Sequence, residues 1–217
     1  MSRLSFLITA GPTREHIDPV RFLSNPSTGK MGYAIAEAVL DLGYDGMLIS
    51  GPTCLSVSDK ISKISVTSAK EMCESVLENI GNFSVLIMSA AVCDYRPIDH
   101  FDQKIKKSSS HLNLSFERTE DILMEVDKIG YDGIKVGFAA ETQNLEKYAL
   151  NKLHDKKLNM IVANDLTKKG AGFATHTNIV SIFSDKGGKV NLPLMPKQEI
   201  ADHLINFIVE YDKKYNN

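Results

Sequence analysis

The sequence predicts a Rossmann-like α/β fold, in which a doubly wound and largely parallel sheet carries helices on both faces. Short apolar runs typical of buried strands alternate with segments whose apolar residues recur at helical spacing. The chain has 217 residues, of which 43% are hydrophobic, and this is enough for one large core. We therefore expect a single domain over residues 1–217.

The alternation divides the chain into an ordered series of elements. The predicted strands are Leu4–Ala10, Gly46–Ser50, Ile61–Val66, Val85–Ser89, Ile134–Ala139, Met160–Ala163 and Asn178–Phe183. The predicted helices are Gly29–Leu42, Ala69–Ile80, Asp121–Lys128, Leu145–Lys156 and Lys197–Tyr211. Ser68-Ala-Lys-Glu71 has the spacing of a capping box, which predicts the start of the second helix.

Three segments depart from this pattern. Residues 95–119 contain a proline, a charged loop and a serine run, and we expect an inserted flap there, with a strand at Leu112–Phe116. Gly187-Gly188 lies between two apolar runs and predicts a C-terminal hairpin. Asp212–Asn217 is predicted to be a frayed polar tail.

Composition excludes several classes of protein. A net charge of -2 argues against attraction of the whole surface to nucleic acid or to an anionic membrane. No apolar run reaches the roughly 18 residues that span a bilayer, and no signal-type segment is present, so we expect a cytoplasmic protein. Cys54, Cys73 and Cys93 are widely spaced, which indicates neither a disulfide framework nor a zinc site.

The loop between the first strand and the first helix is the most informative segment. It begins at Gly11 and ends at Gly29, and free backbone N–H groups at the helix start favour an anion. An NAD(P)- or flavin-binding oxidoreductase is the alternative, but sixteen residues separate Pro12 from Gly29, whereas a dinucleotide fingerprint is compact. A P-loop is also excluded, because Ser24 and Met31 stand where that motif needs Gly and Ser or Thr.

Other polar segments have an ordinary structural explanation beside a functional one. Asp94, in Ala90-Ala-Val-Cys-Asp-Tyr-Arg96, suits a turn as well as a ligand hydroxyl. Lys104-Ile-Lys-Lys107 is either a solvated face or a phosphate contact. Lys152 and Lys156 share a helix face, which solubility alone would explain. Cys93 is expected to be a small buried filler rather than a nucleophile.

Taken in order along the chain, these segments resemble the phosphopantothenoylcysteine synthetase family. The motifs that carry the resemblance are the loop from Gly11 to Gly32, Ala90–Arg96, Lys104–Lys107, Gly137-Phe-Ala-Ala-Glu-Thr142 and Ala163-Asn-Asp165. The resemblance implies a ligase that joins 4′-phosphopantothenate to L-cysteine with CTP, or ATP as the alternative, through an acyl cytidylate. Mg²⁺ would be bound mainly through nucleotide phosphates, with no metal site built from protein ligands.

The resemblance also implies roles for individual residues. Asn25, Arg21 and Lys104 would be catalytic, Asn25 in the second half-reaction and Lys104 in the first. The implied nucleotide-binding residues are Ser89, Ala90, Ala91, Asp94, Lys104, Asp121, Ile122, Leu123, Phe138, Lys152 and Lys156. The implied substrate-binding residues are Gly11, Ser27, Thr28, Gly29 and Lys30.

The family further implies partners. We expect a homodimer. Since no flavin-dependent decarboxylase sequence precedes Leu4, we also expect a free-standing enzyme, with a separate decarboxylase as a candidate partner. Neither nucleic acid nor a membrane is expected as a partner.

Overall fold

A sheet of eight strands forms the centre of the part of the chain that the structure describes. The computed structural model describes residues 3–106, 111–141, 143–165, 167–168, 170, 172 and 175–215. The strands are β1 (Ser5–Ala10), β2 (Arg14–His16), β3 (Phe22–Ser24), β4 (Asp45–Ser50), β5 (Ser62–Ser65), β6 (Val85–Met88), β7 (Tyr95–Pro97), β8 (Phe116–Arg118), β9 (Ile134–Glu141), β10 (Met160–Asp165), β11 (Thr177–Ser184) and β12 (Lys189–Pro196). The helices are α1 (Lys30–Asp41), α2 (Ala69–Asn79), α3 (Ile122–Lys128), α4 (Leu145–Asp155) and α5 (Lys197–Tyr215), with a short 3₁₀ helix at Ile80–Asn82.

The order of the strands confirms the predicted fold. The main sheet runs β12-β11-β10-β9-β6-β1-β4-β5, and the six strands from β10 to β5 in that order are parallel. β11 and β12 are antiparallel and form one edge. The chain winds outward from β1 through β4 and β5, and then outward on the other side through β6, β9 and β10. This order places a topological switch point between β1 and β6, where open α/β sheets bind their ligands.

Two apolar layers cover the two faces of the sheet. α1 and α5 pack on one face, where they bury Phe6 and Ile8 of β1. α2, α3 and α4 cover the other face, where Leu7 is buried. Alternate residues of β1 thus enter opposite layers, as the pleat of a strand requires. Burial of each such side chain contributes roughly 1.5–3 kcal/mol to the stability of the fold. The middle of the sheet is therefore stable, and it supports the loops at the carboxyl ends of the strands.

Several local predictions are confirmed. Ser68 caps α2, because its Oγ accepts a hydrogen bond from the Glu71 N–H at 3.2 Å, and the Glu71 carboxylate accepts one from the Thr67 N–H at 2.7 Å. The C-terminal hairpin exists as β11 and β12, which turn at Gly187, a residue in the left-handed region with φ of 80°.

Two predictions of local structure are wrong. The strand expected at Leu112–Phe116 is instead Phe116–Arg118, which pairs with Tyr95–Pro97. The segment expected as a tail from Asp212 continues α5 as far as Tyr215, while the last two residues lie outside the described part. This helix extends because Tyr211 is buried and its hydroxyl donates to Asp185 at 2.8 Å, which holds the last turns against the sheet.

The loop from Gly11 to Gly29 contains an element that was not predicted, the short hairpin of β2 and β3. The buried Asp18 makes its turn, since one carboxylate oxygen accepts from the N–H groups of Val20 and Arg21 at 2.8 and 2.9 Å.

None of the helices in the described ranges is both long and apolar enough to cross a membrane.

Candidate active site

A cavity of about 810 Å³ opens at the carboxyl ends of the parallel strands, beside the switch point. This volume is typical of sites for nucleotide-sized ligands. It brings together most of the residues predicted for the site, namely Asn25, Ser27, Gly29, Lys30, Ser89, Ala90, Ala91, Asp94, Asp121, Ile122, Leu123, Phe138, Lys152 and Lys156.

Two glycines fit the start of α1 tightly against the end of β1. Gly29 has φ of 78°, a left-handed conformation that side chains other than glycine rarely adopt. A Cβ on Gly32 would lie 2.5 Å from the Cβ of Ala10 and 2.6 Å from the Ser89 Oγ. The first turn of α1 can therefore approach the strand ends closely, with its free N–H groups at the cavity.

Asn25 is held by the loop that follows β6. Its side-chain NH₂ donates to the carbonyl oxygens of Ala91 and Val92 at 3.2 and 2.9 Å. The same loop is fixed to β1, since the Ala91 N–H donates to the Gly11 carbonyl at 2.9 Å. The amide of Asn25 is thus oriented at the cavity wall before any ligand binds.

Cys93 lies behind this wall as a packing residue, as expected. It is buried, its thiol donates to the Thr13 carbonyl at 3.5 Å, and burial raises its pKa. A raised pKa disfavours the thiolate that nucleophilic catalysis would need.

One side of the cavity, next to α3 and α4, carries both signs of charge; we call Asp94, Asp121, Lys152 and Lys156 the mixed-charge side. The Lys152 ammonium donates to the Phe138 carbonyl at 2.8 Å, and Lys156 forms an ion pair with Asp121. Burial lowers the pKa of Lys152, while the carboxylates of Asp121 and Asp94 act in the opposite direction. Asp121 also caps α3 by accepting from the Met124 N–H at 3.2 Å.

The opposite side, next to α1 and α5, carries two lysines; we call Lys30 and Lys197 the lysine side. Lys197 is 6% exposed, and its ammonium donates to the Gly172 carbonyl at 3.0 Å. Burial, and next the positive charge of Lys30, lowers the pKa of Lys197 to about 8. The ring nitrogen Nε2 of His176 lies 3.2 Å from the Lys30 ammonium.

Four of the predicted site residues do not line this cavity: Arg21, Lys104, Gly11 and Thr28. Arg21 pairs with Asp18 at 3.3 Å and donates to the Ile105 carbonyl at 2.7 Å. The Ile105 N–H in turn donates to Asp18 at 3.2 Å, so Lys104 is carried on the flank of the hairpin, where it is exposed. Gly11 lies just behind Gly29 and accepts the Ala91 N–H. Lys107, at the end of the same motif, lies outside the described residues.

Sequence reasoning missed Lys197, and it gave no role to Asn164 or Asn178, although all three line the cavity. Asn164 lies in the Ala163-Asn-Asp165 motif, which was the available signal. No sequence signal marked Lys197, because a lysine at the start of a predicted helix is common. In the described part of the chain, no three His, Cys, Asp or Glu side chains come together as metal ligands.

The fold and the cavity define a Rossmann-like domain with a nucleotide-sized site at its switch point. The chain belongs to the family described as DNA/pantothenate metabolism flavoprotein, C-terminal domain, whose model matches residues 1–211. The resemblance drawn from the motifs is thereby confirmed.

The relatives are coenzyme A biosynthesis proteins. The chain is 47% identical over 209 residues to the bifunctional protein CoaBC of Bacillus subtilis (strain 168), and the matched region covers 96% of this chain and 52% of the relative. It is 39% identical over 219 residues to CoaBC of Escherichia coli (strain K12), and the matched region covers 99% of this chain and 54% of the relative. The chain thus spans about half the length of the curated relatives it matches.

Solved structures of the same family share the fold of this chain. The crystal structure of the C-terminal domain of CoaBC superposes with a TM-score of 0.83 at 41% identity, over 97% of this chain and 96% of that one. The DNA/pantothenate metabolism flavoprotein from Streptococcus pneumoniae superposes with a TM-score of 0.82 at 25% identity, over 96% and 99%. A Cab2 mutant in complex with phosphopantothenate-cysteine has the same fold, with a TM-score of 0.76 at 17% identity, over 97% and 87%.

Proposed function

We propose that this chain is the ligase that forms 4′-phosphopantothenoylcysteine from 4′-phosphopantothenate and L-cysteine in coenzyme A biosynthesis, with CTP as co-substrate. The observation that carries the proposal is that family-motif residues from separate segments, including Asn25, Asp94, Phe138 and Asn164, line one cavity. The Rossmann-type oxidoreductase is not favoured, because the loop between β1 and α1 holds a hairpin where a dinucleotide would need a compact turn.

The proposed reaction has two steps. A carboxylate oxygen of 4′-phosphopantothenate attacks the α-phosphorus of CTP, and the bond to the β-phosphate breaks, which releases pyrophosphate. The cysteine amine then attacks the acyl carbon, CMP leaves, and the amine gives up a proton. The enzyme would supply alignment and charge stabilisation, of which alignment alone can contribute roughly 7–11 kcal/mol.

The two sides of the cavity suggest where the nucleotide lies. The start of α3 would receive the base on the mixed-charge side, and the first turn of α1 would receive the acid substrate. The side chain of Phe138 packs with the layer of α1 and α5, so its predicted contact with the base would come from that face of the sheet. Magnesium would come with the nucleotide phosphates, since Mg²⁺ retains most of its water and needs few protein ligands. The acidic groups at the wall, Asp94 and Asp121, are compatible with such a hydrated ion.

Pyrophosphate release tests the function. With CTP and 4′-phosphopantothenate alone we expect about one equivalent per active site, and sustained turnover to pyrophosphate and CMP only when cysteine is added. The same assay with ATP decides the nucleotide. Tight binding of NADPH or a flavin, with no pyrophosphate released, would contradict the ligase proposal.

We also propose a homodimer formed through the hairpin and the flap. Val20, Phe22, Ile98 and Phe101 expose between 39% and 57% of their surfaces there, and such a concentration of apolar groups is typical of an interface. The Phe101 N–H donates to the carbonyl of Ile17 at 3.1 Å, which joins flap and hairpin into one surface. Because Lys104 lies on this flank, it would act on the cavity of the partner subunit.

The variant Lys104→Gln tests that assignment. Loss of one preorganised charge contact costs on the order of 10²- to 10³-fold in rate, and we expect this loss in acyl cytidylate formation in a single turnover without cysteine. Lys106→Gln is the matched control, because Lys106 is exposed in the same segment. Equal rates in the two variants would show that the cluster is a solvated face.

Mixing two inactive variants tests the dimer. Asn25→Asp and Lys104→Gln subunits, each impaired alone, should regain activity when mixed, because one of the two mixed sites receives both native residues. A monomeric mass in light scattering, or no recovery on mixing, would contradict action across the interface.

A further inference from the structure

The lysine side of the cavity joins residues from near both ends of the chain. Lys30 is the first residue of α1, and Lys197 is the first residue of α5. His176 connects them: its carbonyl accepts the Lys197 backbone N–H at 3.0 Å, and its ring lies 3.2 Å from the Lys30 ammonium. Both lysines line the cavity.

These positions are electrostatically poor for cations. The N-terminus of a helix carries a partial positive charge, so a lysine in the first turn is disfavoured, and two like charges disfavour each other further. Lys197 adds the penalty of burial, which is reflected in its pKa of about 8. A second lysine, Lys135, is equally buried at 6% exposure, but the neighbouring charge there is the Asp127 carboxylate at 3.2 Å. At Lys197 the Lys30 ammonium contributes a neighbouring charge of the same sign.

An independent observation indicates that a ligand reaches this wall. Asn164 is 7% exposed and lines the same cavity, yet its Oδ1 has no hydrogen-bond partner among the described residues. A buried polar atom without a partner costs roughly 1–3 kcal/mol, so a ligand that supplies the partner gains that amount. The unpaired Oδ1 is an acceptor, so it suits a hydroxyl or N–H donor carried by the same ligand.

We propose that Lys30 and Lys197 together bind a phosphate group of a substrate, so that Lys197 is a further binding residue of this cavity. An anion between two helix N-termini reverses each of the penalties above, since it interacts favourably with both ammonium groups and both helix ends. The identity of the substrate rests on the proposed function. Two sources have this chemistry: the pyrophosphate portion of the nucleotide and the phosphomonoester of the acid substrate.

Calorimetric titration of the full chain, at constant magnesium, tests the proposal with free pyrophosphate, 4′-phosphopantothenate and pantothenate as probes. The variants are Lys197→Gln, which keeps a donor for the Gly172 carbonyl, and Lys30→Gln as a second route should the first fail to fold. Lys63→Gln is the control, because Lys63 is exposed on β5 at the far edge of the sheet and the charge change is equal. Thermal unfolding checks that each variant folds.

We expect both cavity variants to bind a phosphate probe about 10- to 100-fold more weakly than the control, as is usual for loss of one charge-assisted hydrogen bond. A loss confined to pyrophosphate assigns the nucleotide phosphates. A loss for 4′-phosphopantothenate but not for pantothenate assigns the phosphomonoester. If both cavity variants bind every probe as tightly as Lys63→Gln does, the proposal is overturned. If the protein binds pyrophosphate through Lys197 but releases none from CTP, only the ligase function is contradicted.

Discussion

The two sides of the cavity use lysine in different ways. On the mixed-charge side, Lys152 and Lys156 are accompanied by Asp94 and Asp121, so their charge is balanced partly within the protein. On the lysine side, the Lys30 charge acts on Lys197 and has the same sign. A cation with a nearby carboxylate contributes to the shape of a site whether or not a ligand is bound. A cation beside another cation raises the free energy of the empty site and makes binding of an anion more favourable.

Among residues that line the cavity, the largest expected effect concerns Asn25, which is held against the loop after β6. In Asn25→Asp the new negative charge would face the phosphodiester of the acyl cytidylate, so we expect the second half-reaction to slow by about 10²-fold while the first continues. Rapid-quench analysis should show the intermediate accumulating.

Asn25→Ala is the control for that experiment. It loses the same hydrogen bonds to the Ala91 and Val92 carbonyls but adds no charge. Accumulation in the aspartate variant alone assigns the effect to charge. Wild-type rates in both half-reactions would make Asn25 a loop residue.

The next effect is a pH dependence confined to the lysine side. Lys197 has a lowered pKa of about 8 in the free protein, so it is protonated below that value and loses its charge above it. The affinity advantage of wild type over Lys197→Gln for a phosphate probe should therefore be constant to about pH 7 and fall about tenfold by pH 9.

Because the two proteins are compared at each pH, ionisation of the probe itself cancels. Isothermal titration at half-unit steps measures the ratio. A ratio that does not change across this range would show that the charge of Lys197 is not used in binding.

The smallest effect is on the stability of the free protein. The folded pKa of Lys197 lies below its unfolded value of 10.5, so the unfolded chain binds more protons between about pH 8 and 10.5 and stability rises with pH there. Below pH 8 the destabilisation is fully present. We expect Lys197→Met to gain about 1–2 kcal/mol at pH 7 after losing the hydrogen bond to Gly172, which corresponds to a Tm higher by several degrees.

Lys152→Met should gain less, because removal of that cation leaves Asp121 and Asp94 less balanced. Calorimetric melting of the two variants side by side measures the difference. An equal or larger gain in Lys152→Met would remove the distinction between the two sides.

Sequence reasoning reached the fold because its causes are local. The alternation of apolar runs fixes which segments become strands, and the carboxyl ends of parallel strands must meet at one edge, so Asn25, Asp94 and Phe138 could be expected together. The hairpin at Asp18 was missed because its turn depends on side-chain acceptance of two backbone N–H groups rather than on a Gly-rich pair.

The sequence did not predict the positions of residues that reach or miss the cavity through contacts between distant segments. Lys197 reaches the cavity only because α5 packs beside α1 and begins where β12 ends, and no short pattern records that arrangement. Lys104 gave the opposite result: its cationic motif suggested the cavity, but the bonds of Ile105 to Asp18 and Arg21 place it on the flank of its own subunit.

The packing of α5 beside α1 also has a consequence during synthesis. Lys30 leaves the ribosome before Lys197, and at 5–20 residues per second the interval between them is roughly 10 to 30 seconds. During that time the nascent chain can pair β1 with β4 and β6, yet the lysine side does not exist. A polypeptide truncated before α5 could therefore bury part of its core but would not hold both lysines of the site, so the proposed phosphate contact can form only after α5 has been synthesised.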